Sequence, residues 1–411
     1  MSQFMADFHI HSKYSRATSK EMDIPHLDHY ARMKGINLLG TGDFTHPQWL
    51  RELKENLEDC GNGLFKHGQT NFILTAEVCN NFRKNNKGKR IHNIIFAPSF
   101  EIVDKINGEL SRFGKLPSDG RPNLALSAKD LVKLVLDISQ DCFIVPAHVW
   151  TPWFSVLGEK AGFDSIDDCF EEEVEHIYAI ETGLSSDPGM NWQLSTLDRF
   201  SLISNSDSHS PSKIGREANV FSRPLNYYEI KEALKTRDDS QFLFTVEFFP
   251  QEGKYHYDGH RKCNVRLAPR DSMQNGDICP GCGQKVTIGV MHRVENLADR
   301  PAGFVPERAI PGKHLVPLEE ILSAALQKGT GTAAVTNLYT NMVERFGTEF
   351  DILLNLTEKE LSDGTPDRVL QGITRVREGR ISVLPGYDGV YGEVRIFNDS
   401  KDTVESQMQL F

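Results

Sequence analysis

The chain has 411 residues, a formal net charge of -11, 39% hydrophobic residues and 25% charged residues, which is typical of a folded globular protein and excludes a disordered or membrane-embedded one. Single hydrophobic cores rarely grow beyond about 250–300 residues, so we expect two or three domains. Without an apolar run of about 20 residues or a signal-peptide pattern, the sequence predicts a cytoplasmic protein with no membrane contact. Seven cysteines, an odd number scattered over a long chain, argue against a disulfide framework.

The order of predicted elements divides the chain into units. Residues 1–247 alternate strand-like and helix-like segments, which is typical of a parallel sheet or a β/α barrel. Residues 248–310 are rich in turns, and helices are predicted again beyond them. The predicted helices span residues 24–34, 48–59, 127–138, 226–235, 318–327, 332–346 and 367–378. We expect a barrel at 1–247, a small zinc-binding module at 248–310, a mainly helical domain at 311–397 and a polar tail at 398–411.

Short clusters of acidic residues and histidines end the strand-like runs of the first unit. Side chains two apart on a strand project from the same face, so the pairs His9/His11 and Asp207/His209 each form a natural bidentate metal clamp. The carboxyl ends of barrel strands meet at one face, where we expect the clusters to converge on a metal site for hydrolysis. The candidate ligands at these strand ends are His9, His11, Asp43, Glu77, His148, Asp207 and His209.

Each candidate taken alone also has an ordinary structural interpretation. A single histidine is more often a core or surface residue than a ligand, and Glu77 or Asp43 would serve equally well as a helix cap or an ion-pair partner. Their repeated position after apolar runs favours the joint interpretation. Glu181 also ends an apolar run, and the sequence leaves open whether it contacts metal or substrate.

Two parts of this acidic chain are locally basic. Residues 248–315 hold ten Lys or Arg against seven Asp or Glu. A second segment carries five positive charges and no acid, which suggests a phosphate-binding loop, although an ordinary solvated loop has the same pattern. Its residues are Arg83, Lys84, Lys87, Lys89 and Arg90.

The second unit contains an independent metal signal. His260 and Cys263 form one closely spaced pair, and Cys279 and Cys282 form another, with fifteen residues between the pairs. Two such pairs close a tetrahedral Zn²⁺ site, and four protein ligands leave no open position, so this zinc would be structural. The rivals of His260 for the fourth position are His256 and, less favoured, His292.

The first 247 residues resemble the PHP (polymerase and histidinol phosphatase) family of metal-dependent phosphoesterases. The resemblance implies a distorted seven-stranded β/α barrel and adds His92, in the segment Ile91-His92-Asn93, to the ligands and catalytic residues. Two positions depart from the family pattern. Arg16 stands where the family usually has Asp, and Phe44 follows Asp43 in place of a histidine, which leaves Asp43 as the surviving ligand and His46 as a substitute.

The order of barrel, zinc module and helical tail resembles the endonuclease Q family across nearly the whole chain. The motifs that carry this likeness are Asp7-Phe8-His9-Ile10-His11, Gly40-Thr41-Gly42-Asp43-Phe44, Gly259-His260-Arg261-Lys262-Cys263 and Pro385-Gly386-Tyr387-Asp388-Gly389-Val390-Tyr391-Gly392. The resemblance implies a DNA repair endonuclease that nicks double-stranded DNA 5′ to deaminated bases (uracil, hypoxanthine, xanthine) or abasic sites. It implies Zn²⁺ in the module and in the barrel, Mg²⁺ or Mn²⁺ for catalysis, and DNA binding by the helical domain.

Two other functions compete with this interpretation. One is a PHP phosphatase for small molecules, which would need neither a zinc module nor a helical tail. The other is a non-catalytic, helicase-associated DNA-binding protein with a degenerate barrel, for which Arg16 and Phe44 are the best argument.

The last five residues suggest a further partner. Gln407, Leu410 and Phe411 match the spacing of the pentapeptide by which bacterial repair enzymes bind the sliding clamp. The alternative is that the terminal pair packs back onto the helical domain. Clamp binding would raise the local concentration of the protein at replicated DNA.

Overall fold

The computed structural model describes residues 3–160 and 162–397. Gln407, Leu410 and Phe411 lie outside the described residues, so sliding-clamp binding stays a prediction. Within the described ranges, none of the helices has the length and apolar character needed to cross a membrane.

The strands are distributed over the whole described chain. In order they are β1 (Phe4–Asp7), β2 (Leu38–Gly40), β3 (Glu58–Asp59), β4 (Phe65–His67), β5 (Thr70–Lys84), β6 (Lys87–Ala97), β7 (Asn123–Leu124), β8 (Phe143–Pro146), β9 (Ala179–Glu181), β10 (Ser201–Ile203), β11 (Ala218–Phe221), β12 (Phe242–Glu247), β13 (Asp258–His260), β14 (Val265–Leu267), β15 (Gly312–His314), β16 (Ser382–Leu384) and β17 (Glu393–Arg395).

The central sheet is mixed. Its strands run in the order β15-β12-β11-β1-β2-β5-β4-β3, with β6 on β5, β8 on β6 and β7 on β5. The pairs β1/β2 and β2/β5 are parallel, whereas β1/β11, β11/β12, β5/β6 and β6/β8 are antiparallel. Strands β9 and β10 form a separate parallel ladder. The predicted α/β class is confirmed as a mixed α/β fold, and the expectation of a parallel sheet is wrong.

The long hairpin β5–β6 causes most of this difference. The two strands pair from Leu74 with Ala97 to Lys84 with Lys87, so only Asn85 and Asn86 remain in the turn. Both asparagines have positive φ, at 50° and 60°. Two-residue turns with positive φ at both positions match the twist of antiparallel strands, and asparagine tolerates that conformation well. The sequence Lys84-Asn85-Asn86-Lys87 is therefore a hairpin turn.

The strands enclose an apolar interior rich in aromatic side chains. Phe8 of the segment after β1 packs edge-on against Phe96 of β6 at 5.7 Å between ring centroids, and Phe96 stacks on Phe143 of β8 at 4.2 Å. These rings are fully or almost fully buried. Burial of such side chains, at about 1.5–3 kcal/mol each, holds the ends of the strands in a fixed arrangement around one face.

Helices cover the sheet and form the C-terminal region. They are α1 (Ile24–Lys34), α2 (Pro47–Asn56), α3 (Phe100–Leu110), α4 (Ala128–Ile138), α5 (Ile166–Phe170), α6 (Pro188–Asn191), α7 (Tyr227–Thr236), α8 (Pro269–Gln274), α9 (Val290–Leu297), α10 (Leu318–Leu326), α11 (Ala333–Phe346), α12 (Glu358–Ser362) and α13 (Asp367–Arg377).

The helices predicted from sequence are present to within three residues at each end. Local capping explains this agreement. Asp23 accepts a hydrogen bond from the backbone of His26 at the start of α1, and Asn226 forms a reciprocal capping box with Glu229 at the start of α7. Helices α3 and α9 were not predicted.

The C-terminal region is fastened to the main body by a buried ion pair. Lys34 Nζ at the end of α1 lies 2.8 Å from Glu349 Oε2, which also accepts a hydrogen bond from Tyr339. After α13 the chain forms the antiparallel hairpin β16–β17, which the prediction of a mainly helical domain missed. Strand β15, also within the predicted helical domain, pairs with β12 of the central sheet.

Candidate active site

The predicted ligands approach one another on a single face of the sheet. His9 and His11 follow β1, Asp43 follows β2, His148 follows β8, and Asp207 follows β10. Glu77 and His92 lie inside β5 and β6, so the placement of Glu77 at a strand end is wrong. Because Cys79 pairs with His92, and Glu77 is two residues away, Glu77 and His92 are diagonal neighbours on one face of the hairpin.

One group of ligand atoms surrounds Oε2 of Glu77. His11 Nε2 lies 3.1 Å from Glu77 Oε2 and 3.1 Å from Asp207 Oδ1, and His9 Nε2 lies 3.5 Å and 3.7 Å from the same two oxygens. Ligand atoms bound at about 2.0–2.2 Å to one ion lie about 3–3.5 Å apart, so these spacings fit a metal position.

A second group surrounds the other oxygen of Glu77. Glu77 Oε1 lies 2.6 Å from His92 Nδ1 and 3.1 Å from His148 Nε2, and the two histidine nitrogens are 3.4 Å apart. Glu77 thus joins the two groups through its two carboxylate oxygens. The arrangement has the donor types and spacing of two neighbouring cation positions that share a bridging carboxylate.

Buried polar atoms without partners support this interpretation. His9 Nε2, His11 Nε2 and Asp207 Oδ1 make no hydrogen bond among the described residues, although all three are buried. Leaving a buried polar atom unsatisfied costs about 1–3 kcal/mol, which a ligand at this position would offset. The residues present therefore fit a divalent cation.

Two carboxylates orient His9 and His11 by contacting the ring nitrogens that face away from the ligand groups. His9 Nδ1 lies 3.0 Å from Glu181 Oε1, and His11 Nδ1 lies 3.0 Å from Asp43 Oδ1. A carboxylate can only accept here, so each Nδ1 carries a proton and each Nε2 faces the metal position. Asp43 also accepts from Ser12 and Ser15, which leaves it behind His11 and outside the two ligand groups.

Glu181→Gln should weaken metal binding without removing a ligand. The carboxylate also accepts from the backbone of His148 and from Asn205, and glutamine would offer one of these donors an NH₂ group in place of an acceptor. Loss of such a supporting partner typically costs about 10–100-fold in metal affinity or activity. Calorimetric titration with Mn²⁺ measures this affinity, with the exposed Glu232→Gln as the matched control. An unchanged affinity would contradict the orienting role.

Three sequence-predicted positions lie at the edge of the cluster. His209 lies 4.5 Å from His11 between ring centroids, its Nδ1 bonds the backbone oxygen of Asp207, and it falls outside the two ligand groups. His46 stacks on Tyr14 at 4.5 Å and lies outside the two ligand groups. Arg16 is 85% exposed and pairs with Asp119 at 3.3 Å.

The electrostatics of the cluster give Glu77 and His92 the ionisation states that metal ligands need, whereas a bound metal would displace protons from His9 and His11. Burial would lower the pKa of both histidines, but Glu181 raises the pKa of His9 and Asp43 raises that of His11 well above the ordinary value. Burial would raise the pKa of Glu77, but the positive charges of Arg121 and His9 hold that pKa well below its usual range. Burial lowers the pKa of His92 to about 4 against the opposing effect of Glu77, so His92 is neutral. An ionised carboxylate and a neutral imidazole are the ligand forms of these groups.

Arg121 is the residue that sequence analysis missed at this site. Its Nη1 lies 3.0 Å from Glu77 Oε2, and 30% of its side chain is exposed. It belongs to the loop before β7, and neither strand pattern nor spacing marks it. A guanidinium at the open edge of the cluster can donate to a phosphate.

The backbone is unusual at three of the site residues. Asp43, His148 and Asp207 have φ values of 48°, 32° and 45°, in the left-handed region that residues other than glycine seldom adopt. Gly183, also at positive φ, lies so close to His148 that an added Cβ would be 2.6 Å from the Cβ of that histidine. The turns after the strands thus aim these side chains at the cluster.

The predicted basic loop is the tip of the β5–β6 hairpin. Lys84 pairs with Glu171 at 2.8 Å, and Lys89 lies 4.1 Å above the ring of Phe163, so both already have partners within the chain. Arg83, Lys87 and Arg90 are exposed on the same hairpin. These three remain the candidates for contact with phosphate.

The predicted zinc ligands come together in the second unit. The ligand atoms of His260, Cys263, Cys279 and Cys282 all lie within 4.8 Å of one another, and Cys282 Sγ is 3.3 Å from His260 Nδ1. Ligands of a tetrahedral zinc lie about 3.5–3.8 Å apart, so the four fit such an ion. The rivals lie elsewhere, since His292 pairs with Asp258 at 2.6 Å and His256 stacks on Tyr257.

Solved structures of two lesion-processing enzymes match this fold. The lesion-specific endonuclease PfuEndoQ from Pyrococcus furiosus superposes with a TM-score of 0.86 and 31% identity, over 96% of this chain and 95% of that chain. An endonuclease Q in complex with a 27-mer duplex substrate, with an abasic lesion at the active site, gives a TM-score of 0.85 and 30% identity over 99% of both chains.

Curated proteins and a domain family give a consistent result. Protein YqxK of Bacillus subtilis is 27% identical over 96% of this chain and 100% of its own length. Protein MJ0043 of Methanocaldococcus jannaschii is 33% identical over 60% of this chain, but the match spans only 31% of that longer protein. Residues 317–380 match the family of the MJ0043 C-terminal domain, which lies within the predicted third unit.

The mixed α/β fold with its C-terminal helices and its cluster of histidines and carboxylates defines a nuclease of the hydrolase class. At 30–31% identity over nearly the whole of both solved structures, the chain belongs to the endonuclease Q family. The resemblance predicted from the sequence motifs is confirmed.

Proposed function

We propose that this protein is a DNA repair endonuclease that hydrolyses the phosphodiester on the 5′ side of a damaged nucleotide. The lesions would be deaminated bases (uracil, hypoxanthine, xanthine) and abasic sites in double-stranded DNA. The observation that carries the proposal is Glu77, whose two oxygens join two groups of histidine nitrogens at spacings suited to two cations. Family membership supplies the substrate class.

The ligand residues would form two ion-binding groups. His9, His11, Asp207 and one oxygen of Glu77 would hold one divalent ion, and His92, His148 and the other oxygen of Glu77 would hold a second. When bound, Mg²⁺, Mn²⁺ or Zn²⁺ supplies an activated water and neutralises charge on the oxygens that attack and leave. Glu181 and Asp43 hold the Nδ1–H groups of His9 and His11, which directs the Nε2 atoms of the two rings toward the ion.

Contacts with DNA would come from exposed basic groups around the cluster. Arg121 stands at its open edge, and Arg83, Lys87 and Arg90 extend from the hairpin that carries Glu77 and His92. Positive groups that contact phosphates position the duplex without reading its sequence. The His260–Cys282 site would hold a structural Zn²⁺ that folds the second unit.

Incubation with a damaged duplex tests the proposal. A labelled duplex with a single uracil, hypoxanthine or abasic site should be nicked in Mg²⁺ or Mn²⁺, and an undamaged duplex should not. The products should carry a 3′-hydroxyl and a 5′-phosphate. Release of phosphate from a small monoester without nicking would indicate the phosphatase instead, and binding of the duplex without cleavage would indicate a non-catalytic protein.

Arg121→Ala should slow nicking by about a hundredfold, the typical cost of removing one group that stabilises developing charge. The guanidinium lies 3.0 Å from Glu77 and faces solvent, where the phosphate would approach. Single-turnover nicking measures the effect. Arg199→Ala is the matched control, because Arg199 pairs with Asp167 and packs on Phe200 near the opposite ends of the strands. Equal rates for the two variants would contradict the role.

A further inference from the structure

The motif Pro385–Gly392 has no role in the cluster, yet it holds a tyrosine in an exposed position. It forms the turn between β16 and β17 and is fixed to the second unit. Tyr257 donates its backbone N–H to Gly386 at 2.9 Å, and Thr287 donates to Asp388 at 2.6 Å. On this fixed turn, 70% of Tyr391 is exposed. The turn therefore presents this ring to solvent at a fixed place.

Tyr391 belongs to a row of three aromatic side chains at the surface, of which Tyr255 is half-buried. The ring of Trp153, 40% exposed, meets the ring of Tyr255 at 5.0 Å in an edge-on contact. Lys254, next to Tyr255, lies 4.4 Å above the ring of Tyr391. We call Trp153, Tyr255 and Tyr391 the aromatic row. It crosses from the loop after β8 to the C-terminal hairpin.

One end of the aromatic row lies next to the metal-ligand cluster. Phe154, which follows Trp153, stacks on His92 at 5.0 Å with an angle of 18° between the rings, and its carbonyl accepts the backbone N–H of His92. Phe154 has a φ of 65°, a conformation that is strained for an aromatic residue. This turn of the backbone lets the ring of Phe154 face the cluster while the ring of Trp153 faces solvent.

The surroundings of the row are basic. Lys254 lies over Tyr391, and Arg90 lies 5.9 Å from the ring of Phe154. Arg261 is exposed, and its backbone N–H bonds Asp388 of the same turn at 2.6 Å. A surface of aromatic rings and cations suits a partner with flat π faces and negative charges.

We propose that the aromatic row binds unstacked bases of the DNA strand beside the cluster. Bases inside an intact duplex have both faces covered by their neighbours, so only bases released next to a lesion can stack on these rings. The phosphates of that strand would meet Lys254, Arg261 and Arg90. This inference rests on the proposed function, because the damaged strand must cross the cluster for its bases to reach the row.

Alanine variants of the row test the inference by binding. Trp153→Ala and Tyr391→Ala should each bind a fluorescein-labelled single strand, and a duplex with one abasic site, about tenfold more weakly, since one base–ring stack is lost. Binding of undamaged duplex should change less than twofold. Anisotropy in Ca²⁺, with the DNA checked by gel for intactness, gives the affinities. Tyr228→Ala, which removes a 47% exposed tyrosine on α7, is the matched control and should behave as wild type.

Tryptophan fluorescence reports contact at Trp153 directly. Of the four tryptophans, Trp49 and Trp150 are buried and Trp192 is partly buried against the core. Quenching of the wild-type emission by a single strand should therefore arise mainly at Trp153, be largely lost in Trp153→Phe and be kept in Trp192→Phe. Trp153→Phe should keep most of the affinity, because it keeps a ring.

The outcomes separate this inference from the proposed function. Wild-type affinities for folded Trp153→Ala and Tyr391→Ala would overturn it, as would equal weakening for undamaged and abasic duplexes. Nicking of damaged duplex without dependence on the row would overturn the inference alone. Row-dependent binding of single strands by a protein that nicks no lesion would overturn the proposed function alone.

Discussion

Glu77→Gln should abolish nicking of a damaged duplex, with a loss of about a thousandfold or more. The carboxylate bridges two ligand groups, at 3.1 Å to His11 on one side and 2.6 Å to His92 on the other, and an amide offers only one acceptor oxygen. Metal ions contribute several kcal/mol to stabilising such a transition state, and each 1.36 kcal/mol is tenfold in rate. Single-turnover nicking at saturating Mg²⁺ or Mn²⁺ measures the loss.

Glu101→Gln, a change at a surface glutamate, is the matched control for Glu77→Gln. Glu101→Gln removes a carboxylate of α3 that is 79% exposed and pairs only with Lys105 among the described residues. It should nick at the wild-type rate. Glu77→Gln should keep the wild-type far-ultraviolet circular dichroism, because the aromatic interior around Phe96 does not depend on it. Nicking by Glu77→Gln within tenfold of wild type would show that the two groups are not the catalytic cluster.

Cys279→Ser combined with Cys282→Ser should remove one equivalent of zinc per chain and unfold the second unit. The unit has only short elements, such as β13 and β14, and its four ligand atoms lie within 4.8 Å of one another. Zinc binding of this kind contributes an apparent 10–16 kcal/mol, roughly, to folding of a small module. Metal analysis measures the zinc, and limited proteolysis measures exposure of residues 254–290.

Cys60→Ser is the matched control for this double variant, because Cys60 is an exposed free thiol distant in sequence from the second unit. Zinc content and proteolysis of the control should equal those of wild type. Zinc content that is unchanged in the double variant would contradict the assignment of His260 and the three cysteines.

Sequence reasoning identified the features that local chemistry determines. The ligand residues follow apolar runs because side chains at strand ends project toward one face, and six of the eight predicted catalytic residues fall into the two ligand groups. Helix α1 was predicted with the bounds that the structure gives, since Asp23 and Gly35 mark its ends locally. The zinc ligands were found for the same reason, because closely spaced pairs are visible in the chain itself.

The features that depend on distant contacts were not predictable. The sequence singles out Glu181 but not its contact with His9, which spans 172 positions, and Arg121 meets Glu77 across 44. Neither contact leaves a spacing pattern. The mixed sheet is a different case, because Asn85 and Asn86 did carry a turn signal. Because the surrounding residues are positively charged, the sequence analysis predicts a phosphate-binding loop at this segment and misses the hairpin.

The positive φ values at the cluster also bear on the stability of the protein. Holding Asp43, His148 and Asp207 in the left-handed region costs of order 1–3 kcal/mol each. Whole domains are stable by only about 5–15 kcal/mol, so three such turns consume a sizeable share of that margin. Burial of the aromatic interior must compensate for it. The strained backbone at the cluster therefore lowers conformational stability while it preorganises the site. Burial of the large core offsets this loss.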